Sequence, residues 1–183
     1  MKEIKQDRKS RYTRKVLRES LVELMKDKPI SKITVKELCE NADINRTTFY
    51  AHYRDQYDLL QHIEEETLTA IENILDTYKN KNGSREHIEM TEEIFSFIAG
   101  NSNSIQTLLS ENGDIEFQKR LFRRFMRKEQ LTKYFSKTPV KAEREYQYVY
   151  VINGAVGLMQ HWLKDNMSLP ISAVARMLIK FNK

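Results

Sequence analysis

The first glycine of this chain is Gly83, and only four more follow in 183 residues: Gly100, Gly113, Gly154 and Gly157. Glycine supplies the positive φ that two-residue hairpin turns require, and no set of alternating apolar segments is punctuated by Asn-Gly or Asp-Gly turns. The same scarcity removes the Gly-rich loops that cradle dinucleotides and nucleoside triphosphates. What remains is a succession of segments with apolar residues three and four apart, so the chain is expected to be all-α.

The breaks in that pattern locate the helices. Val16, Leu17, Leu21, Leu24 and Met25 mark a first helix that Pro29 ends. Val35, Leu38, Cys39 and Ala42 mark a second, started by a capping box of Thr34 and Glu37. Only Asp43, Ile44 and Asn45 separate it from a third, residues 46–53, for which Asn45 is a good cap. Two short helices joined by a three-residue turn describe a helix-turn-helix. A long helix follows over residues 55–79, capped by Asp55 and free of Gly and Pro. Further helices are expected at about 85–99, 102–111, 114–131, 142–164 and 170–181.

Charge singles out the same end of the chain. Residues 1–60 hold 14 Lys/Arg against 10 Asp/Glu, and residues 61–183 hold 17 against 16. Within residues 1–18 there are eight bases and two acids. A basic third on a near-neutral remainder suits a polyanionic partner. In a helix-turn-helix the leading end of the second helix enters the major groove. Arg46, Thr47 and Thr48 occupy that end, where Arg can pair with guanine edges and a Thr methyl can touch thymine. Phe49 and Tyr53 face a small core, and Tyr50 and His52 stand at the rim, within reach of phosphate oxygens.

The run TVKELCENADINRTTFYAHYRDQYDLL, residues 34–60, resembles the DNA-binding domain of the TetR family of bacterial transcription regulators. The likeness covers about residues 10–62. It implies a helix-turn-helix head over residues 1–54 and a helical effector-binding and dimerisation domain over 55–183. It also implies a homodimeric regulator of a palindromic double-stranded DNA operator, acting as a repressor that a ligand releases. Thr34 and Asn45 would contact phosphate, Arg46, Thr47 and Thr48 would lie in the groove, and Tyr50, His52 and Arg54 would clamp the backbone. Asp43 and Thr47 stand where the family has glycine, and Gln56 where it has lysine, with Arg54 in part replacing that charge.

For the larger domain the resemblance implies an effector pocket, with Met90, Phe95, Phe97, Tyr148, Met159 and Trp162 as candidate linings. It also implies a dimer face on the last two helices, where Gly154, Ala155 and Gly157 permit close approach and Leu158 and Trp162 add anchor area. The short run from Gly154 to Leu163 is similar to a subgroup that includes regulators of dihydroxyacetone kinase operons. The basic face of Lys119, Arg120, Arg123, Arg124, Arg127 and Lys128 leaves a second function open, a co-activator that works through a protein partner.

Other classes find little support. His52, His62, His87 and His161 are scattered, no Cys/His spacing suits zinc, and hydrolase, phosphate-loop and metalloprotease motifs are missing. Neither enzyme activity nor a metal or cofactor is expected. The longest compact apolar run, YVYVI at 148–152, cannot span a bilayer. The basic N-terminus has no apolar signal segment and Cys39 has no partner for a disulfide. The expected location is cytoplasmic.

Overall fold

The first residues of the helices explain where they begin. In a computed structural model that describes residues 2–81, 83–126 and 141–181, Thr34 Oγ1 accepts the Glu37 N–H at 3.2 Å and opens α2, Val35–Asn41. Asn45 Oδ1 accepts the Thr47 N–H at 2.8 Å and opens α3, Arg46–Tyr50, which ends three residues short of the expected 46–53. Asp55 Oδ1 accepts the Asp58 N–H at 2.8 Å at the start of α4, Gln56–Thr77. Each side chain satisfies an amide that the first helical turn leaves unpaired. Half of the expected capping box is absent, because the Glu37 carboxylate accepts from Lys28 Nζ instead of turning back on its own helix.

The remaining elements are α1, Lys2–Asp27, followed by a single 3-10 turn at Ile30–Lys32; α5, Ser84–Gly100; α6, Ser102–Leu108; α7, Ile115–Met126; α8, Lys141–Lys164; and α9, Ile171–Phe181. No strand occurs among the described residues, and the fold is all-α. The first helix starts at Lys2, fourteen residues before Val16, the first residue of its apolar pattern. The helix expected over 114–131 is described only as far as Met126, so Arg127 and Lys128 lie outside the described residues.

Two compact units divide the chain: residues 1–67 with 107–114, and residues 68–106 with 115–183. The first therefore takes in the opening half of α4. Its core is Leu17, Leu21 and Met25 of α1, Ile33, Leu38 of α2, Phe49 of α3, and Leu59 and Ile63 of α4, each buried. Burying a side chain of this size contributes about 1.5–3 kcal/mol. A hydrogen bond from Ser20 Oγ to the Leu38 carbonyl (3.0 Å) fixes α1 against α2. Gly113 belongs to this unit, and a Cβ there would lie 2.2 Å from the Leu108 carbonyl oxygen, a close approach that only glycine permits.

The second unit packs α9 against α5 and α8. Val174, Ala175 and Ile179 of α9 are buried, as are Met90, Phe95 and Ile98 of α5 and Val151, Ile152, Met159, Trp162 and Leu163 of α8. Asn166 and Met167 adopt positive φ (50° and 57°) and turn the chain after α8, where the Met167 N–H closes on the Trp162 carbonyl at 2.9 Å.

Candidate nucleic-acid interface and candidate ligand cavity

The turn between α2 and α3 rests on Asp43, whose φ of 51° is left-handed. Aspartate tolerates this conformation better than most residues because its short polar side chain can bond locally, which accounts for its presence where the resemblance expects glycine. The Ile44 N–H closes the turn on the Cys39 carbonyl at 2.9 Å. Helix α3 then emerges with its two faces separated. Phe49 is fully buried and Tyr53 nearly so, with ring centroids 5.9 Å apart. Arg46, Thr47 and Tyr50 are exposed, and Thr48 and His52 are half-buried. Tyr50 stands edge-on to Phe49 at 5.5 Å, so its ring direction is fixed although more than half of it is exposed.

The expected DNA-contacting residues thus share one unit with an accessible α3 N-terminus. Thr34 and Asn45 cap their helices and remain exposed. Arg54 is exposed and turned toward its own helix, with Nη2 3.3 Å from Asp58 Oδ1. The Arg54 backbone N–H, bonded to Asp58 Oδ2 at 2.9 Å, holds the Asp58 carboxyl below the usual carboxylate range, helped by the guanidinium. Cys39, beneath this surface, is buried, and burial pushes its thiol up against the opposing charge of Arg46. An unreactive core thiol follows.

The basic residues that the sequence places within 1–18 form part of a second feature in the same unit, whose partners on α4 the sequence did not reveal. Arg11, Arg14, Lys15 and Arg18 of α1 line a groove with Tyr53 and with His62 and Glu66 of α4. Arg18 Nη1 pairs with Glu66 Oε2 at 2.9 Å. The i, i+3, i+7 spacing of Arg11, Arg14 and Arg18 was the available signal.

In the second unit, residues of α4, α5, α7, α8 and α9 line a partly open apolar cavity of about 140 Å³. Of the expected lining, Met90, Phe95 and Met159 border it. Trp162 does not: it packs edge-on against Phe95 at 5.4 Å and donates Nε1–H to the Leu169 carbonyl at 2.8 Å. The side chain of Tyr148 lies outside the described residues. Aliphatic neighbours the sequence reading passed over, Ile94, Val151, Ile152 and Val156, complete the walls. Their helical spacing carried the signal, but the same spacing also marks ordinary core.

On α8, Gly154 and Gly157 are exposed, Leu158 is half-buried, and a Cβ added at either glycine would meet nothing within 4 Å. Tyr146 and Tyr150 extend the exposed strip, at 80% and 71% exposure. Trp162, at 4% exposure, is on the buried side, so its area is already spent inside the protomer. The basic face of α7 is largely engaged: Glu116 meets Lys119 at 2.6 Å and Arg123 at 3.8 Å, and Arg124 meets Glu72 at 2.8 Å.

A basic helical head whose capped, exposed reading helix follows a short turn, residues 42–45, defines a helix-turn-helix DNA-binding protein. A profile of the transcriptional regulator C-terminal region of TetR type matches residues 85–183, and the chain belongs to the TetR family of transcriptional regulators. It is a regulator and not an enzyme. Over 50 residues it is 34% identical to an uncharacterised HTH-type regulator of Bacillus subtilis, YxbF; the match takes in 27% of this chain and 13% of that relative's length. Its fold is similar to that of NalD, secondary repressor of the MexAB-OprM efflux pump in Pseudomonas aeruginosa (TM-score 0.69, 17% identity, 96% and 95% of the chains). It is also similar to FadR of Bacillus subtilis, solved with stearoyl-CoA (TM-score 0.63, 14% identity, 91% and 96%).

Proposed function

We propose that this protein is a cytoplasmic homodimer that binds a palindromic operator as a repressor and leaves it when a small-molecule effector binds. Residues 1–54 would read the DNA, and residues 55–183 would bind the effector and pair the two copies. The observation that carries the reading is the arrangement of α3. Its core side, Phe49, and Tyr53 just beyond its end are buried, while Arg46 and Thr47 are exposed at an N-terminus held by the Asn45 cap. Amides and positive dipole at a helix start favour phosphate. Arg46, Thr47 and Thr48 would then meet base edges, and Thr34, Asn45, Tyr50, His52 and Arg54 the backbone.

Pairing through α8 and α9 is supported by the exposed strip of Tyr146, Tyr150, Gly154 and Gly157. Repression needs only occupancy of the operator, whereas activation through a partner needs a free docking surface. On the basic face of α7, which the sequence offers for that purpose, Lys119, Arg123 and Arg124 are already paired with Glu116 and Glu72. Gel shifts on duplexes selected from genomic DNA test the assignment. Replacing Tyr50 and His52 by alanine should weaken binding to every sequence, whereas Arg46→Ala should cost about 1–3 kcal/mol at one base position. Equal losses at all positions for Arg46→Ala would remove α3 from the groove.

A further inference from the structure

The cavity of the second unit carries more information than its existence. Its walls are the side chains of Ile94, Phe95, Val151, Ala155 and Met159 with their aliphatic neighbours, and no charged residue borders it among the described residues. Thr91, the one hydroxyl on its wall, donates Oγ1–H to the His87 carbonyl at 2.8 Å and so presents chiefly its methyl group. Arg124, one turn beyond Leu121 on α7, is held by Glu72. Burial lowers the His87 imidazole toward its neutral form, so it adds no cation there. A carboxylate or phosphate in this space would lose its hydration with nothing to replace it.

Size narrows the choice further. A dry cavity of roughly 150 Å³ lined by such side chains takes up benzene or xenon, and this one measures about 140 Å³. A chain of stearoyl length exceeds it unless the helices part.

We infer that the effector of this protein is a small, uncharged, mainly apolar molecule about the size of one aromatic ring. This rests on the effector-released reading above, and direct binding separates the two. Calorimetric titration of the full chain, without DNA, uses benzene, phenol and stearoyl-CoA as probes. Benzene and phenol are both expected to bind.

Ala155→Phe fills the cavity and should abolish binding of both rings. Should that variant unfold, Met159→Ala enlarges the cavity instead and should extend uptake to naphthalene. Rings that bind while the operator complex persists would uphold the ligand class and overturn effector release. Failure of both rings, with stearoyl-CoA binding and dissociating the complex, would overturn the ligand class and uphold release.

Discussion

Asn45 offers the sharpest separation of folding from DNA binding. Its Oδ1 holds the Thr47 N–H at 2.8 Å, and α3 beyond it is only five residues, Arg46–Tyr50. So short a helix has almost no stability of its own. It persists through Phe49 burial and through the bonds at its ends, among them Phe49 N–H to Asn45 O at 3.0 Å. Asn45→Ala removes the capping acceptor and should lower unfolding stability by about 1 kcal/mol, within the usual range of ~0.5–2. Asn45→Asp keeps an acceptor of equal quality and adds a negative charge that the helix dipole favours. Stability should then equal or exceed the parent value. At a phosphate, however, the same charge repels, so the Asp variant should bind duplex DNA more weakly than the parent and with a shallower salt dependence. Urea denaturation followed by circular dichroism reads the first quantity, and fluorescence anisotropy with a duplex at several salt concentrations reads the second. An Asp variant that binds DNA like the parent would show that the start of α3 does not face phosphate.

Four further outcomes follow from other parts of the structure. Phe49→Ala, at a fully buried site, should destabilise by about 3–5 kcal/mol in the same denaturation assay. Tyr150→Glu on the exposed strip of α8, 71% exposed, should leave helix content intact and yield monomers in sedimentation velocity. A Gly-Gly insertion at Thr69-Ala70 interrupts α4, which contributes residues to both units; operator binding should survive while the effector response in a gel shift is lost. Burial lowers the His87 pKa from its ordinary 6.5. The unfolded chain therefore takes up that proton first, and stability is full above pH 6.5 and falls as pH drops from there toward the folded value. His87→Gln should flatten the loss in melting temperature between pH 7.5 and 5.

Local signals carried most of the fold. Thr34, Asn45 and Asp55 mark helix starts through side-chain chemistry that acts within three residues, and all three cap as their sequence context demands. The partition of residues 46–53 into buried Phe49 and Tyr53 and exposed Arg46 and Thr47 was legible in their spacing, although the helix itself stops at Tyr50. Longer-range facts were less legible. Trp162 reads equally as pocket wall, dimer anchor or core; only the Leu169 carbonyl and the Phe95 ring, brought to it by the turn after α8 and by α5, decide for core. The basic face of α7 reads as free charge until Glu72, on another helix, is placed against Arg124. Cavity walls of Ile94, Val151 and Val156 share their spacing with any packed helix, and a void is a property of several helices together.

The central claim is that the α2–turn–α3 surface of two copies reads one DNA site. Selection of genomic fragments by the purified protein, followed by hydroxyl-radical footprinting on an enriched fragment, tests it most directly. The account predicts a two-fold symmetric protection pattern whose half-site centres lie about one helical turn, ~34 Å, apart, with binding that weakens steeply as salt rises. Fragments without a shared sequence, or protection confined to a single asymmetric half-site, would contradict it.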